Sequence, residues 1–222
     1  MKSIDGNIKL KPKYTIKEEI ANSITHGIGA LFSIVTLTIL LVYSISEKNT
    51  ISIVAFSIYG FGSISLYIAS TLYHSFQQEK LKKIFRLFDH SSIYLCIAGT
   101  CTPVILLSMT GYWRIGLLSA IWTIALLGIT FKVLTFNNFE KYKVFSLSLY
   151  IFMGWLMVIA IKPMIKVVPV EFFMWLLAGG LVYTVGTIFY AIKKIPYNHA
   201  IWHLFVLAGS VIHFFGIFLY LR

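Results

Sequence analysis

Acidic side chains are scarce in this sequence: 8 Asp and Glu stand against 19 Lys and Arg in 222 residues, and charged residues of both signs make up only 12% of the chain. With 58% of its residues hydrophobic, against roughly 45–50% in an ordinary soluble domain, the chain has too little polar surface to coat a water-soluble fold. A polytopic membrane protein is expected. Cysteine is nearly absent. Cys96 and Cys101 stand five apart in one apolar run, on different helical faces and without CxxC spacing, so they read as buried thiols. The sequence also lacks HExxH, GxSxG, a phosphate-binding glycine loop, an aspartate dyad, a repeat and any low-complexity tract. The common sequence signatures of hydrolases and nucleotide enzymes are therefore missing. Residues 1–17 form a polar, Lys-rich tail too hydrophilic for a secretory signal core, and the first span is expected to act as an uncleaved anchor.

What is present is apolar sequence in membrane-length runs. Seven stretches, about 21–44, 51–73, 88–109, 113–133, 144–162, 171–192 and 198–221, approach the roughly 20 residues that cross a bilayer as helix. An all-α bundle of seven transmembrane helices is expected, as one domain over 18–222. The net charge of +11 would suggest nucleic acid in a soluble protein, but its distribution argues otherwise. Lys48, Arg114, Lys162, Lys166 and Arg222 fall on one side of the expected membrane, and all other Lys and Arg fall on the tail side. By the positive-inside rule the N-terminus is cytoplasmic and the C-terminus outside. The basic excess is then a topology signal and an attraction to anionic lipid headgroups; membrane lipids are the expected partners, not nucleic acid.

All six histidines, His26, His74, His90, His199, His203 and His213, lie inside or at the edge of an apolar run. An ionisable group within lipid costs on the order of 3 kcal/mol and usually faces the protein interior with a partner. His199 and His203 are four apart on the last span, with Cβ atoms roughly 6 Å apart on one helix face, a spacing that lets two imidazoles share an ion. Ser70 and His74 lie one turn apart at the end of span 2, where His74 reads either as interfacial or as a ligand. Asp89 opens span 3 and reads either as a helix cap or as a carboxylate beside a metal. His90 points roughly 100° away from it around the helix, and Asp89 is the one favoured for the site. Glu19, Asn22 and His26 form a polar stripe on span 1, either a helix start complementing the dipole or a support for a site. The stretch Gln77 to Leu87 reads as a basic loop, and spans 4 to 6 as scaffold, with Trp175 and Tyr183 facing lipid. His213 lies too deep to share an ion with His203 and reads as a packing residue. The topology, drawn from Lys and Arg alone, brings His74, Asp89, His199 and His203 to one depth from three helices. Three imidazoles with one open position match a catalytic zinc.

The segments Glu18-Glu19-Ile20-Ala21-Asn22 with Thr25-His26, Ser70-Thr71-Leu72-Tyr73-His74, Phe88-Asp89-His90-Ser91, and Asn198-His199-Ala200-Ile201-Trp202-His203 with Val211-Ile212-His213-Phe214 resemble the bacterial haemolysin III proteins. That group belongs with the progestin and adipoQ receptors and, more distantly, the alkaline ceramidases. The resemblance covers essentially the whole chain. It implies a seven-helix bundle in a cell membrane, the bacterial inner membrane, with Zn2+ near the cytoplasmic face on His74, His199 and His203, and Asp89 and Ser70 close to the metal's water. It further implies zinc-assisted hydrolysis of a lipid amide or ester. A membrane-damaging cytolysin and a lipid sensor with structural zinc stand as alternatives.

Overall fold

The computed structural model describes residues 14–192 and 194–222, so most of the basic tail, 1–13, and Lys193 lie outside the described residues. Seven helices are long and apolar enough to cross a membrane: α1 (Ile16–Ser46), α2 (Thr50–Ser75), α3 (Glu79–Ser108), α4 (Gly111–Leu134), α5 (Lys143–Met164), α6 (Val170–Ala191) and α7 (Asn198–Tyr220). Among the described residues there is no strand. Each helix packs mainly on its chain neighbours, α7 returns to close against α1, and α5 is the most loosely held.

The helices are inside-out relative to a soluble bundle. On α1 the buried face is Glu19, Asn22, His26, Gly29, Ser33, Thr36, Leu40 and Ser44, while Ile20, Ile24, Ile28, Leu31 and Val35 point outward. A helix that hides its polar stripe and exposes its branched aliphatics is stable only where the solvent is lipid. Polarity gathers at the end of the bundle where α1 begins. The other end is filled by a plug of apolar side chains, among them Leu40, Phe56, Ile105, Ile121, Phe172 and Ile217.

The helices depart from the sequence reading at three places, each for a local reason. Helix α1 starts at Ile16 because Thr15 and Glu18 form a capping box: the Thr15 hydroxyl accepts from the Glu18 amide at 3.3 Å, and the Thr15 amide donates to Glu18 Oε2 at 2.8 Å. The stretch expected as a basic loop is helical from Glu79 onward. Its cations are matched across the bundle, Lys82 to Glu19 at 2.6 Å and Arg86 to Glu140, so charge does not end the helix. Asp89 consequently lies well inside α3 and is no cap. Helix α5 passes through a 3₁₀ stretch at Leu156–Ala160, just ahead of Pro163, whose ring removes a donor and crowds the carbonyl four residues earlier. Tyr183 also departs from expectation. It turns inward, its hydroxyl 2.8 Å from Ser210 Oγ.

Helices α2 and α3 are in close contact at Gly62, where an added Cβ would meet the Leu95 carbonyl oxygen at 2.5 Å. This contact sets the spacing of the helices that carry His74 and Asp89. Gly62→Ala is expected to lower stability by about 1–3 kcal/mol, the usual cost of overpacking. Gly116→Ala, whose added Cβ would meet nothing within 4 Å, is expected to be neutral. Thermal unfolding of both variants in detergent checks this.

Candidate metal centre

Helix α2 ends one residue past His74, and α7 begins one residue before His199, so the end of one helix faces the start of the other. His74, His199 and His203 are all buried, and one ring nitrogen from each lies within 4.8 Å of the other two. Two ligands on one zinc, at roughly 2.0–2.1 Å each, sit up to about 4 Å apart, so the trio is close to a coordinating set.

The outward-facing nitrogens are fixed by neighbours. His74 Nδ1 lies 2.6 Å from Glu19 Oε2, and Glu19 Oε1 accepts from Lys82 Nζ at 2.6 Å. The Asn22 amide nitrogen lies 3.4 Å from His74 Nδ1. His203 Nδ1 lies 3.0 Å from the Asn22 backbone oxygen and 3.2 Å from Thr25 Oγ1. A carboxylate or carbonyl on Nδ1 holds the proton there and leaves the lone pair on Nε2. Nε2 of His74 is buried with no hydrogen-bond partner among the described residues. A buried acceptor left unpaired is costly, and a cation at the centre of the trio removes that cost. Three imidazoles, two of them oriented through Nδ1, are a donor set that fits zinc.

The other expected site residues take different places. His26 stacks flat on the His203 ring, centroids 3.5 Å apart, so it buttresses a ring face and is not a fourth member of the trio. Asp89 is buried, its Oδ2 lies 3.3 Å from His90 Nδ1, and it lines the same cavity as His199 and His203. His90, set aside in the sequence reading, is thus Asp89's neighbour; its Nδ1 also lies 2.9 Å from the Arg86 carbonyl. Ser70, one turn before His74, is fully buried, and its hydroxyl has no partner among the described residues. His213 donates from Nε2 to the Leu176 carbonyl at 3.2 Å.

The cavity has a volume of about 170 Å³. It reaches from Asp89, His199 and His203 at one end to His213 in the bundle's interior, between apolar walls that include Ile97, Ile151 and Val206. Loosely held α5 forms one side.

Three contributors escaped the sequence reading. Tyr14, in the stretch taken as tail, stacks on His199 at 5.0 Å and 18°. Burial pushes its phenol pKa well above the ordinary value, so it is a neutral donor over the trio. The signal that could have found it is its position directly before the Thr15–Glu18 capping box, which places it at the level of Glu19. Thr25 and Lys82 support the histidines through contacts between helices that spacing within one helix does not reveal.

Comparison with known proteins gives the family. Hemolysin-3 of Bacillus cereus is 48% identical over 205 residues, covering 92% of this chain and 92% of that protein. The Hemolysin-3 homolog of Bacillus subtilis strain 168 is 46% identical over 207 residues, 93% of this chain and 96% of its own. The human monocyte to macrophage differentiation factor is 32% identical over 222 residues, covering 97% and 89% respectively. The family described as Haemolysin-III related matches residues 14–214, a span that takes in Tyr14, Glu19, the whole histidine trio and His213; the chain is a multi-pass membrane protein belonging to that family.

Proposed function

We propose that this protein is a zinc-dependent hydrolase of amide or ester bonds in membrane lipids, with its N-terminus and metal centre on the cytoplasmic side of the cell membrane. One observation carries the reading: a buried trio of imidazoles, two of which line an apolar-walled cavity inside the membrane-spanning bundle, with a carboxylate in the same wall. Held by His74, His199 and His203, zinc would supply a Lewis acid for the scissile carbonyl and bring the pKa of its water toward roughly 7.

The remaining work falls to the chain's own side chains. Asp89 is placed to accept a proton at its carboxylate, steadied by His90 at 3.3 Å. The Ser70 hydroxyl, unpaired and one turn from His74, is available to orient a polar group of the site. Tyr14 covers His199 and limits water entry. The apolar walls take an acyl chain, whose burial offsets the cost of bringing a polar bond into the bundle.

Two other readings make different demands. A lytic pore needs a polar path through the whole bundle, whereas the far end is sealed by Leu40, Phe56, Ile105 and Phe172; the Bacillus cereus relative is named a hemolysin, but a single copy of this chain offers no such path among the described residues. A sensor with structural zinc is favoured by one observation, that Glu19 links α1 to α2 and α3 through His74 and Lys82. Mass spectrometry of fatty acid released from a mixed lipid extract, beside metal analysis, separates the cases. Asp89→Asn is expected to keep its metal and lose about 10²–10⁴-fold in turnover, the worth of a general base. Full zinc in the wild type with no product from any lipid would favour the sensor.

A further inference from the structure

The deep end of the cavity carries an imidazole that the mechanism above does not use. His213 lines the cavity there, ten residues beyond His203 on α7 and so about 15 Å further along the helix axis. Helix α6 makes room for its ring at Gly179, where an added Cβ would lie 2.2 Å from the imidazole. Its Nε2 lies 3.2 Å from the Leu176 carbonyl oxygen. A carbonyl can only accept, so the hydrogen sits on Nε2. Asp89, the sole carboxylate lining the cavity among the described residues, stands at the opposite end, and an imidazolium here would have no counter-ion. The ring is therefore neutral, and Nδ1 holds a lone pair. That atom is buried with no hydrogen-bond partner among the described residues.

Other polar groups at this depth serve one another. Tyr67 donates to Ser210 Oγ at 2.7 Å, and the Tyr183 hydroxyl lies 2.8 Å from the same oxygen. Trp155 donates to Thr184 Oγ1 at 3.0 Å. His213 Nδ1 stands outside these pairings, although the Tyr183 ring centre is 5.5 Å from its own. A buried acceptor left unpaired costs about 1–3 kcal/mol, and a wholly apolar chain in the cavity would leave that cost in place. The missing partner must bring a hydrogen. A carboxylate, a ketone or an ether offers acceptors only, an amide brings a carbonyl that needs a donor of its own, and an ammonium brings an unmatched charge. A hydroxyl on an otherwise apolar chain meets the requirement.

We propose that the deep end of the cavity recognises a hydroxyl group on a lipid-like chain through His213 Nδ1, with the chain's polar end at the histidine trio about 15 Å away. This narrows the ligand class of the proposed hydrolase, but it rests on the cavity's walls and holds whether or not a bond is cleaved.

The test uses calorimetric titration of the full-length protein in non-ionic detergent, with affinities corrected for partition into micelles. The probes are ω-hydroxydecanoic acid; undecanoic acid, in which a methyl replaces the hydroxyl; ω-methoxydecanoic acid, whose ether oxygen has no hydrogen; and α-hydroxydecanoic acid, whose hydroxyl sits beside the carboxylate. The ω-hydroxy acid is expected to bind the wild type at least about tenfold more tightly than the other three, the worth of one buried hydrogen bond made rather than left unmade. His213→Leu, which keeps bulk and loses the acceptor, should reverse the order, undecanoic acid binding more tightly, because the hydroxyl is then desolvated without a partner. Should His213→Leu fail to fold, the wild-type series decides alone, since it compares ligands on one protein. In His203→Ala all four acids are expected to weaken while the preference for the ω-hydroxyl persists, which separates the deep site from the metal centre. A persistent preference with no hydrolysis of any lipid would count against the hydrolase reading and leave this one standing. Wild-type protein that binds none of the four acids, or binds undecanoic acid as tightly as the ω-hydroxy acid, as it would if an ordered water filled the place, would overturn the proposal. So would a preference that survives His213→Leu or vanishes in His203→Ala.

Discussion

Purified His203→Ala protein is expected to carry less than about a tenth of the zinc found in the wild type, which should hold close to one ion per chain. A zinc site is worth roughly 10–16 kcal/mol in apparent affinity. Shared among three imidazoles, that leaves several kcal/mol for each, so deleting one weakens binding by more than two decades. His203 is also the best fixed of the three on its outer side, held by the Asn22 carbonyl at 3.0 Å and by the His26 ring stacked against it. Its loss therefore removes a preorganised ligand rather than a mobile one. Metal analysis after exhaustive dialysis against buffer with trace zinc reads this directly. His213→Ala is the matched control, since its Nε2 is bound to the Leu176 carbonyl and a Cβ at Gly179 would touch its ring; it should keep its zinc. Wild-type protein without stoichiometric zinc, or His203→Ala with a full complement, would refute the metal centre.

The sequence reading reached the seven spans and the histidine trio because both are governed by rules that act over short distances. Membrane thickness sets the length of an apolar run, and His199 and His203 announce their shared face by spacing alone. His74 required one further step: the asymmetry of Lys and Arg oriented the helices, and that orientation brought the end of α2 level with the start of α7. Beyond this point the information lies in pairings between helices. Hydropathy falls at Lys80–Arg86, so the segment resembled a loop, but Lys82 and Arg86 meet acids from α1 and from the α4–α5 connection, and the helix continues. The same blindness made Asp89 look like a possible cap, when it lies inside a helix whose true start is Glu79.

Spans 4 to 6 illustrate a second limit. Read singly they are scaffold, for they carry few ionisable groups. Assembled, spans 5 and 6 supply most of one side of the cavity through Leu147, Ile151, Trp155, Thr184 and Tyr190. A cavity is where side chains are missing, and only packing reveals where that is. Tyr183 was placed toward lipid because an aromatic is at home there; its hydroxyl finds Ser210 instead, which in turn accepts from Tyr67 at 2.7 Å. A phenol in the bundle interior needs such a partner.

Removal of Glu19 is expected to damage both the metal site and the fold, and the two losses can be measured apart. Its side chain is 4% exposed and serves two cationic or donor groups at once, His74 Nδ1 and Lys82 Nζ, each at 2.6 Å. Glu19→Ala frees His74 to rotate and to place its proton on either nitrogen, which should weaken zinc binding by about 10–100-fold, the usual penalty for losing a ligand's outer partner. It also strands Lys82. Breaking a buried pair costs roughly 3–5 kcal/mol, but Lys82 is 21% exposed and can turn its ammonium outward, so a loss near the lower bound is expected. Chelator competition gives the first quantity, and thermal unfolding of metal-free protein the second. Lys82→Met in the Glu19→Ala background should recover most of the stability and none of the affinity, because it removes the stranded charge while His74 still lacks an acceptor. Glu19→Gln should do the reverse in part: its amide oxygen can still receive the His74 proton, holding zinc affinity within about tenfold of wild type, while Lys82 loses its counter-ion. Equal zinc affinity in Glu19→Ala and wild type would mean that the imidazole of His74 is oriented by packing against Tyr14 and Tyr73, with the carboxylate serving Lys82 alone.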